Sequence, residues 1–138
     1  MQNKKRFTPT RILAVFIFIF GLVALKAGGS VLLSEAAQIA AGNYIPFIVW
    51  FNVLAAPFYL IIAVALWRKQ ECTHKLVTML FLAHLVVDAF FIYHVQSGGL
   101  FEMRTVIAMS FRTILWGGVT LVLKRSTQPC DLADQTAG

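Results

Sequence analysis

IPFIVWFNVLAAPFYLIIAVALW, residues 45–67, runs for 23 positions without one ionised side chain. A helix needs about 20 such residues to cross a hydrocarbon core. Working outward, the same signature recurs three times: Ile12–Leu33 before this stretch, then Leu76–His94 and Thr105–Leu123 after it. The runs are continuous, with no alternation of polar and apolar positions, so a β-barrel is excluded and helices are required. The sequence therefore predicts an all-α integral membrane four-helix bundle.

Composition agrees. The chain is 59% hydrophobic and 13% charged, with a mean hydropathy of +0.76, where soluble domains are about a quarter charged. Three parts follow: a basic cytoplasmic N-terminus over 1–11, a four-helix domain over 12–123, and a polar, disordered cytoplasmic tail over 124–138. No long-period repeat is visible.

The net charge of +6 is distributed as in a membrane protein, not a nucleic-acid binder. Lys4, Lys5, Arg6 and Arg11 precede the first run. Arg68, Lys69 and Lys75 lie between the second and third, and Lys124 and Arg125 follow the fourth. The other two connections hold no cation except Arg104, at the edge of the fourth run. This asymmetry places both termini in the cytoplasm. Cys72 and Cys130 fall on that reducing side and lack metal-ligand spacing, so they read as ordinary thiols. The first run resembles a secretory signal followed by small residues at 27–30, but the apolar character resumes at Val31–Leu33, which favours a retained anchor helix.

Several local features carry expectations. Ala24 and Gly28 stand at small-xxx-small spacing, which lets two membrane helices approach closely. Residues 30–41 read either as an extension of the first helix or as a short interfacial helix stopped by Gly42 and Asn43. Pro46 suits the first turn of the second helix, and Pro57 should kink it.

Polar groups inside the runs share one depth. At 1.5 Å per residue, Asn52, Asp88 and Arg112 each lie about 10 Å below the outer surface, with Lys26 slightly shallower. His84 sits one turn deeper than Asp88. A lone charge at such depth costs several kcal/mol, so a bidentate Asp88–Arg112 pair is expected, with Asn52 beside it. His94, Glu102 and Arg104 mark the outer mouth. His84 and His94 share a helix and cannot clamp one haem, and His84 with Asp88 supplies too few ligands for a metal. No cofactor or metal is predicted, and no catalytic residue is assigned.

Residues 40–47 with Trp50-Phe51-Asn52, and residues 101–105 with Arg112-Thr113, resemble segments of small four-helix bacterial inner-membrane proteins of unassigned activity. The general plan is also similar to DoxX-like membrane proteins. The resemblance implies a bacterial inner-membrane setting and brings no catalytic residues. The expected function is a small binding or accessory subunit, partnered by the lipid bilayer and by a homo-oligomer or larger membrane complex, with no nucleic acid. The alternative is a homo-oligomeric transporter or proton-linked channel using Asp88, His84 and Arg112. A quinone- or haem-linked redox protein ranks third.

Overall fold

The computed structural model describes residues 7–68 and 73–126, with side chains over 10–68 and 73–125. The described residues form five helices: α1 (Phe7–Leu33), α2 (Glu35–Ala41), α3 (Pro46–Trp67), α4 (Thr73–Gln96) and α5 (Met103–Ser126). No strand occurs among them. All but α2 are long and apolar enough to cross a membrane, and the chain is a multi-pass helical membrane protein. Lys4, Lys5, Arg6, Lys69, Cys72, Cys130 and the tail from 127 lie outside the described residues.

The long helices outrun the apolar stretches by a few residues, because backbone hydrogen bonding does not stop where hydrocarbon does. α1 starts at Phe7, which leaves Pro9 in the first turn, where a missing N–H is harmless. α5 carries Lys124 and Arg125 in its last turn, where cations complement the helix dipole. α3 begins with Pro46 and continues through Pro57 to Trp67.

Residues 35–41 make a separate helix rather than prolonging α1. Ser34 takes an extended conformation, and its hydroxyl accepts the Ala37 N–H, an N-cap that restarts the chain in a new direction. Gly42, at φ +70°, ends α2. A Cβ there would meet Glu102 Oε1 at 2.7 Å, so Gly42 is needed both for its backbone and for its neighbour.

Packing follows side-chain size. α1 and α3 lie closest, with Gly21, Ala24 and Gly28 on the α1 face and Ala55, Ala56 and Ala63 buried on α3. A Cβ on Gly28 would meet Val53 Cγ2 at 2.6 Å, and one on Gly21 would meet Leu60 and Tyr59 at 3.1 Å. Close backbones matter here because lipid removes the hydrophobic drive between helices and leaves van der Waals contact to hold them. α4 pairs with α5, and α3 with α4 joins the two pairs. Among the described residues, no Cα of α5 comes within 8 Å of α1 or α3. Aromatic rings fill that wider gap at mid-bundle. Toward the α2 end it stays open.

Candidate functional site

Two polar regions lie at different depths. The deeper one is built on His84, which has no exposed surface. Its Nδ1 lies 2.8 Å from the Leu80 carbonyl, one turn back on α4. A carbonyl only accepts, so the proton sits on Nδ1 and the imidazole is neutral with Nε2 as acceptor. The Tyr59 hydroxyl therefore donates to Nε2, at 2.9 Å. Rings surround the pair: Trp116 stands 4.9 Å from Tyr59, Phe51 5.0 Å from His84 and Phe20 5.7 Å from Tyr59, centroid to centroid. The Trp116 indole N–H is buried near the Tyr59 hydroxyl without reaching full hydrogen-bond geometry. With both nitrogens engaged, His84 has no lone pair to offer a metal or haem iron without breaking a bond it already makes.

The shallower region is a cleft of about 270 Å³ at the α2 end. Its walls are mostly small and apolar: Ala27, Gly28 and Val31 of α1, Ile48 and Val49 of α3, and Ala108 of α5. Asn52 and Arg112 face into it. Asn52 lies six residues into α3, about 9 Å along the axis, and Arg112 nine residues into α5, about 14 Å. Among the described residues Arg112 makes no hydrogen bond and no ion pair. Asn52 Oδ1 is buried and also has no hydrogen-bond partner. A guanidinium offers five donors, and leaving them unused at this depth is costly.

The expected Asp88–Arg112 fork is not made. Asp88 Oδ2 accepts instead from the Thr113 hydroxyl, and Oδ1 is buried with no hydrogen-bond partner. Thr113 follows Arg112 by one residue, so α5 presents the hydroxyl to α4 and the guanidinium to the cleft. Lys26 is exposed and does not line the cleft. The five expected cluster members thus separate: Asn52 and Arg112 share the cleft, Asp88 turns to Thr113, His84 belongs to the ring layer, and Lys26 stands apart.

The three mouth residues also divide. Glu102 Oε1 accepts from the Asn43 backbone N–H at 3.0 Å and its side-chain amide at 3.4 Å. Arg104 donates to the Ala40 carbonyl at 2.9 Å. Both therefore tie the start of α5 to the end of α2, and both line the cleft. His94 donates from Nε2 to the Leu100 carbonyl at 3.2 Å and closes its own turn. It does not join Glu102 around a cation, and no cluster of three or more metal-binding side chains occurs among the described residues.

Thr113 and Trp116 were not singled out by the sequence. Depth matching offers a signal for the second: Trp116 and Tyr59 each lie 13 residues from the start of their helices, about 20 Å along the axis. No protein-family model, curated protein or solved structure matches the chain.

Proposed function

We propose that this chain is a small multi-pass protein of the bacterial inner membrane, with both termini cytoplasmic, that acts as a binding subunit for a molecule carrying an anionic group. One observation carries the reading: Arg112 lines a 270 Å³ cleft and makes no hydrogen bond and no ion pair among the described residues. A cation in a low-dielectric site gains most from an anion that the protein itself does not supply. Asn52 Oδ1, an acceptor without a partner, would take a donor such as a hydroxyl elsewhere on the same molecule and fix its orientation. The cation asymmetry of the connections supports the orientation, which puts the cleft on the side away from the cytoplasm.

The competing reading, conduction through Asp88, His84 and Arg112, draws less support. His84 is committed on both nitrogens, and the packed rings of Phe20, Tyr59 and Trp116 occupy the bundle below the cleft.

Ligand stabilisation tests the proposal. A ligand that binds only the folded state raises its stability by RT ln(1 + [L]/Kd), about 2.7 kcal/mol at a hundredfold excess over Kd. Phosphate, short-chain carboxylates and short-chain anionic lipids should be screened for a rise in unfolding temperature of the purified protein. At least one is expected to stabilise the wild type and not Arg112→Gln. A panel without effect, or one that acts equally on both proteins, would overturn the binding role.

A further inference from the structure

The cleft is roofed at its polar end and bounded by widely spaced helices at its side. α2 follows α1 directly through Ser34, buries no residue of its own, and is held at its far end to α5 by Arg104 on the Ala40 carbonyl and by Glu102 on Asn43. This strap crosses from α1 to α5 above the cleft. Beneath it the α1 and α5 backbones stay more than 8 Å apart at every described Cα pair. Their facing residues in the cleft are small, Ala27 and Gly28 on α1 and Ala108 on α5. Below, the Phe20 and Phe111 rings meet at 5.9 Å and bridge the two helices. What remains is a slot through the wall of the bundle, with Arg112 at its inner end. Leu33 and Ile39, at the α1–α2 junction and on α2, are 91% and 76% exposed.

We infer that the ligand of the Arg112 cleft is the phosphate headgroup of a membrane lipid, entering sideways between α1 and α5. This rests on the anion-binding reading above and names its ligand. A water-borne anion would enter past the Glu102 carboxylate, which lines the mouth of the cleft and carries its own sign of charge. A lipid takes another route: its tails stay in the bilayer, its headgroup dips inward from the interface while the long Arg112 side chain reaches outward to meet it, and the small apolar walls accept the glycerol and first methylenes. Arg112 supplies donors to the phosphate oxygens. Asn52 faces the same space and can turn its amide toward a headgroup hydroxyl or a phosphate oxygen.

The test uses the full chain in nanodiscs of equal phosphatidylcholine and phosphatidylglycerol, with the lipid retained on the released protein read by native mass spectrometry. Both lipids carry the phosphate, but the choline cation would meet the like charge of Arg112, whereas the glycerol hydroxyls can donate to Asn52 Oδ1. Wild type should therefore retain phosphatidylglycerol over phosphatidylcholine by about tenfold or more. Arg112→Gln should lose that preference. Ala27→Trp, which fills the slot from α1, should lose it too, whereas Ile19→Trp, on the exposed side of α1, should keep it. Circular dichroism and unfolding temperature show whether each variant is folded. Should Ala27→Trp fail to fold, competition decides alone: inorganic phosphate and glycerol phosphate in large excess should leave the retained lipid in place. Displacement by either soluble phosphate, or full retention in folded Ala27→Trp, would overturn lateral lipid entry while leaving anion binding intact. Equal retention of both lipids, combined with no effect of soluble phosphate on wild type, would overturn both.

Discussion

The ring layer around His84 and the cleft around Arg112 share α1, α3 and α5, yet they treat their titratable side chains in opposite ways. In the ring layer, the histidine spends both nitrogens inside the protein, on Leu80 and Tyr59, and aromatic rings leave little space around it. In the cleft, a guanidinium and an amide oxygen are left unsatisfied beside empty volume. A satisfied buried polar group specifies one packing of the helices. An unsatisfied one lowers the stability of the empty protein and is repaid when a ligand arrives. The contrast teaches where to look for function in a small bundle: the deepest titratable residue is structural, and the shallower, unpartnered one is the candidate binder.

Four experiments probe that contrast, and their expected effects on stability fall in order. Trp116→Ala opens a void between Tyr59 and His84, and large aromatic truncations in cores cost about 3–5 kcal/mol. Reversible unfolding in mixed micelles should register a loss near the lower end, with the anion response unchanged. A loss below about 1 kcal/mol would mean that the ring layer is not a packed core.

Gly28→Val places two methyl groups where Val53 already lies 2.6 Å from an added Cβ. The α1–α3 backbones must separate, and overpacking of this kind costs about 1–3 kcal/mol. The same unfolding assay measures it, with Gly29→Val as a control, since no heavy atom lies within 4 Å of a Cβ there. Equal effects at the two glycines would argue against close α1–α3 packing.

The Tyr59–His84 hydrogen bond should contribute less. Polar side-chain contacts between membrane helices average about 0.6 kcal/mol by double-mutant cycles, with a maximum near 1.7. A cycle of Tyr59→Phe and His84→Leu should return a coupling in that range. Zero coupling would show that the histidine is not held through this bond.

Arg112→Met should have the smallest effect on stability, and its sign is the informative part. Removing an unpaired charge from the cleft relieves its desolvation, so the empty protein should be unchanged or up to about 1 kcal/mol more stable. The stabilisation by anions should vanish at the same time. A destabilised variant would point to an internal partner for Arg112 and would erase the contrast between the two regions. Asp88→Asn offers a companion measurement, because an amide can still accept from Thr113 and should leave the anion response intact.

Much of this architecture is legible in the residue order. Hydropathy is a local property, so the four crossings, their approximate ends and the helical class follow from the runs themselves. The small residues Ala24 and Gly28 mark the α1 face that α3 covers. The cap at Ser34 and the stop at Gly42 bound the short helix, although residue order alone allowed a continuous α1 as well. Depth, too, is a one-dimensional quantity: 1.5 Å per residue places Asn52 and Arg112 close to one level, and the cleft contains both.

Direction around the helix axis is what the tertiary structure decided. Each residue turns the helix by about 100°, while advancing it only 1.5 Å. Arg112 and Thr113 are therefore almost indistinguishable in depth but point to different neighbours. A modest rotation of α5 selects which of them meets Asp88, and that rotation is set by Trp116, Phe111 and the rings they pack against. The sequence determined that a cation, an acid, an amide and a histidine share this part of the membrane. Only the packing of the rings decided that the acid takes a threonine, that the histidine takes a tyrosine, and that the arginine is left facing the cleft.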